Sequence, residues 1–203
     1  MRRLRLVILL LLCAGLLFAQ EGLYAPAVPE DAALVRVVNA TDDPLEIDLG
    51  SVRYEVGARS SSAYRPLQPG VFVIAHAGER TVVEPTAKAF LSVVVSSSGV
   101  DVFPDERHSD PARAQLVIYN VGTARVDFRS ESPEAVLVPD VAPGESGVRV
   151  VNAVRVTVGA FAGEETLAGA ELDLERGESY ALVVTSPESG VRGFTVRAAV
   201  ASE

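Results

Sequence analysis

Short segments in which apolar and polar side chains alternate with a period of two constrain the fold of this chain more than any other feature. Residues 45–49 (LEIDL) and 52–56 (VRYEV) alternate in this way in the first half, and residues 124–128 (ARVDF) and 194–198 (FTVRA) do so in the second half. A period of two sends successive side chains to opposite faces of a β-strand. Each of these strands is therefore predicted to bury one face and to expose the other to water.

Two further segments are nearly continuous in apolar residues. Residues 90–95 (FLSVVV) and 180–185 (YALVVT) are typical of central strands that are covered on both faces. The nearest approach to a helical pattern lies at residues 164–174, where two glycines and the short length argue against a helix. The sequence therefore predicts an all-β chain.

An internal repeat indicates how these strands are grouped. Residues 33–39 (ALVRVVN) resemble residues 114–120 (AQLVIYN), and residues 89–96 (AFLSVVVS) resemble residues 179–186 (SYALVVTS). The second pair of segments is further apart along the chain than the first pair, as an insertion in a loop of the second copy would produce. We therefore predict two tandem antiparallel β-sandwich domains joined by a short linker.

The N-terminal segment 1–19 has the pattern of a cleavable export signal. Arg2, Arg3 and Arg5 precede an apolar run that extends from Leu6 to Phe18, which is short for a bilayer span. Cleavage after Ala19 is the favoured interpretation. Lipid attachment at Cys13 is the less favoured alternative, because Leu12 stands where such a site requires a small residue.

The expected domain boundaries follow from the repeat and from one polar segment. Residues 104–111 (PDERHSDP) are polar and bounded by prolines, as is common in linkers. We predict a signal peptide over residues 1–19, an N-terminal β-sandwich over residues 20–106, a linker over residues 107–112 and a C-terminal β-sandwich over residues 113–203.

Charge and cysteine content limit the functions open to the exported chain. Without the three signal arginines, 15 basic side chains remain against 27 acidic ones, which gives a formal charge of −12. Nucleic acids, anionic membrane surfaces and polyanionic sugars are poor bulk partners for such a chain. The one cysteine, Cys13, lies in the signal, so a disulfide framework and a thiol nucleophile are both excluded.

The sequence contains no motif for metal-dependent or nucleophilic chemistry. The two histidines, His76 and His108, have no metal-ligand spacing, and the chain lacks a Gly-x-Ser-x-Gly nucleophile elbow. Adjacent His108, Ser109 and Asp110 hold the residue types of a hydrolase triad, but neighbouring positions in a linker do not create its geometry. We predict no catalytic residue, no metal site, no cofactor and no enzymatic activity.

His76 is expected to be a hydrogen-bonded strand-end residue, and Asn39 and Asn120 are expected to hold the turns that follow their strands.

The start of the exported chain joins a leader with an aromatic residue and prolines, residues 23–29 (LYAPAVP), to the strand at residues 34–41 (LVRVVNAT), and residues 67–70 (LQPG) follow as a turn. These segments resemble the leader, the first strand and the next turn of the AlgF family of alginate O-acetylation proteins. This resemblance implies a periplasmic accessory factor that works beside a membrane-bound O-acyltransferase and a periplasmic acetyltransferase of the SGNH type. Together with the missing motifs, it predicts a non-catalytic adaptor required for O-acetylation of alginate or a related exopolysaccharide.

Three residues of the part that carries the resemblance are candidate partner contacts. Tyr24 and Pro26 precede the first strand, where an aromatic ring and prolines suit a docking segment or, alternatively, a leader packed over the first sandwich. Arg36 lies on the strand face opposite Val35 and Val37 and is predicted to be a solvated or interface residue.

A carbohydrate-binding β-sandwich module of the cell envelope is the alternative function. The fold would permit it, but the chain has no tryptophan and few aromatic residues outside the predicted strands. Contact with a polysaccharide is therefore expected to be weak.

Overall fold

The computed structural model describes residues 29–131, 134–185 and 192–199, and all regular structure among them is β-strand. The strands, in chain order, are β1 Ala33–Asn39, β2 Leu45–Leu49, β3 Val52–Val56, β4 Ser60–Ser61, β5 Arg65–Leu67, β6 Phe72–His76, β7 Glu79–Val83, β8 Phe90–Ser96, β9 Gly99–Pro104, β10 Ala114–Val121, β11 Val126–Glu131, β12 Glu134–Val141, β13 Ser146–Val151, β14 Arg155–Ala162, β15 Glu165–Asp173, β16 Ser179–Thr185 and β17 Arg192–Ala198. The all-β prediction is confirmed. Within the described ranges, no helix has the length and apolar character needed to cross a membrane.

The first half of the chain is a sandwich of one sheet and two hairpins. Strands β4, β1, β8 and β9 lie in that order in the sheet, and β5 also pairs with β1. The hairpins β2–β3 and β6–β7 form the opposite layer, where Ile47, Tyr54, Ile74 and Val83 pack against the inner face of the sheet. Alternation in β2 and β3 therefore gives one buried and one exposed face, as predicted.

The second half repeats this arrangement with longer strands. One sheet has the order β13-β10-β16-β17, and the opposite sheet has the order β12-β11-β14-β15. Leu116, Ile118 and Leu182 of the first sheet pack against Phe128 and Val158 of the second. The two predicted sandwiches are thus both present.

The repeated segments identified in the sequence are neighbouring strands in each half. Strand β1 pairs with β8, and β10 pairs with β16, and both pairings are parallel. The remaining pairings, as far as the structure describes the chain, are antiparallel. Each sandwich therefore departs from a purely antiparallel arrangement at its centre, where two strands far apart in sequence run in the same direction.

A third apolar cluster joins the two halves. Val38, Val94 and Phe103 from the outer face of the first sheet pack together with residues such as Val117 and Tyr119 from the outer face of a second-half sheet. This explains why residues 90–95 and 180–185 are almost continuously apolar. One face of each strand packs inside its own sandwich, and the other face packs against the other half.

Asn39 and Asn120 hold equivalent turns, as predicted. The Asn39 side-chain amide donates to the backbone oxygen of Asp43 at 2.8 Å, and its carbonyl accepts from the backbone N–H of Thr41 at 2.9 Å. The Asn120 amide likewise donates to the backbone oxygen of Ala124 at 2.8 Å, and its carbonyl accepts from the backbone N–H of Gly122 at 3.1 Å. The repeat thus extends to side-chain hydrogen bonds.

The division into residues 20–106 and 113–203 stays a prediction, and the shared cluster determines how it can be tested. A fragment of residues 20–106 keeps its own inner core but exposes Val38, Val94 and Phe103. Burial of an apolar side chain of this size stabilises by about 1.5–3 kcal/mol. We therefore expect the fragment to unfold cooperatively but with a melting temperature at least about 10 °C below that of the chain from Gln20 to Glu203. Thermal unfolding followed by circular dichroism tests this, and equal melting temperatures would show that the shared cluster contributes nothing.

Candidate functional site

Five polar or aromatic side chains meet between the two halves of the chain. Arg36 lies on β1, Ser92 on β8 and Tyr119 on β10, while Tyr64 precedes β5 and Asp105 follows β9. Arg36 shares the outer face of the first sheet with Val38 because the two residues are two positions apart on one strand. The cluster is therefore the polar part of the layer that joins the halves.

Two hydroxyl groups connect the guanidinium of Arg36 to the carboxylate of Asp105. Arg36 Nε donates to Ser92 Oγ at 2.7 Å, and Ser92 Oγ donates to Asp105 Oδ2 at 2.6 Å. On the parallel route, Arg36 Nη2 donates to the Tyr119 hydroxyl at 2.9 Å, which donates to Asp105 Oδ1. The Tyr64 hydroxyl also donates to Asp105 Oδ2, at 2.6 Å. Each bridging hydroxyl thus accepts from the cation and donates to the anion.

The electrostatics of the cluster favour charged Arg36 and neutral tyrosines. Burial alone lowers the pKa of the Arg36 guanidinium, but Tyr119, Tyr64 and Asp105 together raise it above its usual value. Burial raises the pKa of Tyr64 and of Tyr119 well above the ordinary tyrosine value. The guanidinium carbon also lies 4.8 Å from the centre of the Tyr64 ring, a favourable position for a cation. Both phenols therefore keep the protons that they donate to Asp105.

The geometry of the cluster suits a structural role, in which it holds the two halves together, better than a reaction centre. Arg36 is 1% exposed and Ser92 is fully buried, so neither can reach a polymer or a small ester in this conformation. The proton of the Ser92 hydroxyl is directed to a carboxylate that already accepts from two phenols. A nucleophilic serine needs a base that is free to take its proton, and no imidazole contacts Ser92 among the described residues.

The three predicted partner contacts have different outcomes. Tyr24 and Pro26 lie outside the described residues, and their role stays a prediction. Arg36 is 1% exposed and therefore not solvated, and its side chain contacts Tyr119 of the second half; its role as a partner contact stays a prediction. A partner protein could contact Arg36 only if the two halves separated.

The His108-Ser109-Asp110 segment lines a shallow recess beside Pro111 and Gly177. The His108 ring nitrogen Nε2 lies 2.9 Å from the backbone oxygen of Arg113, and Asp110 Oδ1 accepts from the backbone N–H of Ala112 at 2.9 Å. Both residues thus hold the linker in shape. His76 is likewise bonded at the end of its strand, with Nε2 3.0 Å from the backbone oxygen of Ser96, as predicted.

No potential metal site with three or more histidine, cysteine, aspartate or glutamate side chains occurs in the described part of the chain.

The sequence identified Arg36 as a candidate residue but did not identify the residues that surround it, which are Ser92, Tyr64, Asp105 and Tyr119. One signal was available: a charged side chain within an otherwise apolar strand needs a buried counter-charge. Asp105, at the border of the polar linker, gave no sign that it supplies this charge.

A family model and the sequence relatives give the same family. The family described as "Alginate O-acetyl transferase AlgF" matches residues 8–181 of this chain. The chain is 26% identical over 187 residues to the alginate biosynthesis protein AlgF of Pseudomonas putida, which covers 91% of this chain and 87% of that protein. It is 27% identical over 172 residues to the protein of the same name from Pseudomonas aeruginosa, which covers 82% and 79%. A solved structure of the C-terminal domain of AlgF from P. aeruginosa is similar with a TM-score of 0.38 and 24% identity, over 42% of this chain and 98% of that domain.

Proposed function

This chain belongs to the AlgF family, and on that premise we propose that it is a non-catalytic periplasmic adaptor required for O-acetylation of alginate or a related exopolysaccharide. It acts through contacts with the acetylation machinery, namely a periplasmic SGNH-type acetyltransferase, a membrane-bound O-acyltransferase or both. It uses no cofactor. The names of the relatives support the role in alginate biosynthesis, and the N-terminal export signal supports the location.

The single observation that carries the non-catalytic part of the proposal is that the polar cluster around Arg36 is buried and hydrogen-bonded within itself. Its guanidinium, its serine hydroxyl and its phenols are buried between the two halves and bonded to one another. Both histidines of the chain lie at hydrogen-bond distance from backbone oxygens, at positions that shape a strand end and a linker. These side chains support a scaffold that presents a surface, although the family description contains the word transferase.

Surface chemistry favours a protein partner over the polymer. Every aromatic ring of the described residues is buried or half-buried, so none offers a platform on which a sugar ring could stack. The formal charge of the exported chain, −12 without the three signal arginines, also opposes tight binding of an anionic polymer. Protein contacts therefore explain a role in acetylation better than direct recognition of the polysaccharide.

Direct binding tests the adaptor proposal. The chain from Gln20, titrated by calorimetry into the purified SGNH-type acetyltransferase domain of its own acetylation system, should give saturable binding with a dissociation constant of about 10 μM or below, as expected for a specific adaptor contact. The same chain should give no binding heat with the acetylated polymer. Binding to the polymer alone would favour the carbohydrate-binding alternative.

A further inference from the structure

The outer face of the β6–β7 hairpin carries three exposed valines, which we call the valine strip (Val71, Val73 and Val82). Val73 lies opposite Val82 in the strand register, and Val71 precedes Val73 by two positions on the same side of the extended chain. Their exposed fractions are 68% for Val71, 55% for Val73 and 53% for Val82. Single exposed apolar residues are ordinary, whereas a contiguous group on one face is typical of an interaction surface.

The core of the first sandwich does not need these side chains. The alternate residues of the same hairpin, Phe72, Ile74 and Val83, already face the inner sheet and pack there. The hairpin is therefore apolar on both faces, which is the pattern of a strand pair covered on both sides, but among the residues that the structure describes only its inner face is covered.

Carboxylates border the valine strip. The neighbouring hairpin β2–β3 contacts β6 and exposes Glu46, Asp48 and Glu55 on the same outer side, and Glu84 follows β7. The two hairpins are held side by side at Gly50, whose φ of 60° forms the β2–β3 turn and where an added Cβ would lie 2.8 Å from the Phe72 ring.

The border keeps an excess of negative charge. Arg53 pairs with Glu46 at 2.8 Å and with Asp48 at 2.9 Å, and Arg80 lies on the same outer face. Arg65 reaches the edge of β3, where its Nη1 donates to the backbone oxygen of Arg53. Among these described residues, four carboxylates therefore stand against three guanidinium groups around an apolar centre.

We propose, on the basis of the adaptor function proposed above, that the valine strip is the docking surface for a protein partner with an apolar centre and a basic rim. A second copy of this chain would bring two acidic rims together, which disfavours self-association through this face. An anionic polysaccharide would meet the same negative charge and no aromatic ring on the strip. A basic-rimmed protein surface satisfies both the apolar centre and the acidic border.

The test introduces positive charge at the centre of the strip and at matched positions elsewhere. In the variant V73K/V82K, two lysines would face the apolar centre of the partner, where they would have to lose their hydration, and they would lie near its basic rim, which would repel them. The control is V136K/V154K, which changes valines that are 52% and 54% exposed in the second half of the chain. Affinity for the purified SGNH-type acetyltransferase domain is measured by calorimetry, and melting temperature is measured on the same samples.

We expect V73K/V82K to bind about 100-fold more weakly than the wild-type chain, with the control unchanged and all melting temperatures within a few degrees. Raising the salt concentration from ~50 mM to ~500 mM should also weaken wild-type binding, because salt screens the acidic rim. If V73K/V82K lowers the melting temperature, V73T/V82T keeps the β-branched shape and should still weaken binding by about tenfold.

Wild-type affinity in V73K/V82K, or an equal loss in the control, would overturn the valine strip as the docking surface and leave the adaptor function standing. Binding that does not depend on salt concentration would overturn the proposal that the partner has a basic rim. Absence of binding by the wild-type chain would overturn the adaptor proposal and this inference together. A dimer of the free chain that V73K/V82K dissociates would assign the strip to a second copy instead.

Discussion

Replacement of Asp105 by alanine should lower the free energy of unfolding by about 3 kcal/mol, because it leaves the buried charge of Arg36 without its balancing carboxylate. It also removes the acceptor for the hydroxyls of Ser92, Tyr64 and Tyr119. We expect the lower end of the range for broken buried pairs because Asp105 is half-buried and water can enter beside it. Denaturant unfolding followed by circular dichroism measures the change.

A matched control separates this effect from the loss of any carboxylate. Asp48 accepts from Arg53 Nε at 2.9 Å, but both side chains are more than half exposed. Asp48→Ala should therefore cost less than about 1 kcal/mol. Equal losses of unfolding free energy in Asp105→Ala and Asp48→Ala would contradict a structural role for the buried cluster around Arg36. The combined variant R36M/D105A should be less destabilised than the sum of its single variants, because it no longer buries an unbalanced charge.

The fold could be predicted where local pattern determines structure. Alternation in residues 45–49 and 52–56 indicated the hairpin β2–β3, and the repeat of residues 33–39 at residues 114–120 indicated two equivalent sandwiches. Apolar character on both faces of residues 90–95 correctly indicated a central strand. That the second face is covered by the other half, however, depends on tertiary packing that no local pattern specifies.

The parallel pairings at the sandwich centres likewise could not be predicted from local sequence patterns. Each pairing joins strands that are separated in sequence by several other strands, and short-range turn signals report only on hairpins. The candidate site could be predicted only in part, for a similar reason. Arg36 was recognisable as an unusual residue in its strand, but its partner Asp105 lies at the far end of the first half and its partner Tyr119 lies in the other half.

The second large effect concerns the polymer. In the native host, deletion of the gene for this chain should reduce acetylation of the exopolysaccharide to background, and expression of the chain should restore it. If the chain acts by contact, removal of its most plausible reactive side chains should not matter, whereas disruption of the valine strip should. The purified chain alone should release no acetate from an acetyl ester.

The acetyl content of the secreted polymer, measured by proton NMR in the deletion strain, tests this account most directly. The variant H108A/S109A, which removes the histidine and serine of the linker recess, should restore acetylation as fully as the wild-type chain. The variant V73K/V82K, present at the same level in the periplasm, should leave the polymer unacetylated. Loss of acetylation with H108A/S109A in a folded chain that still binds the acetyltransferase would contradict the account, because it would show that the chain performs chemistry of its own.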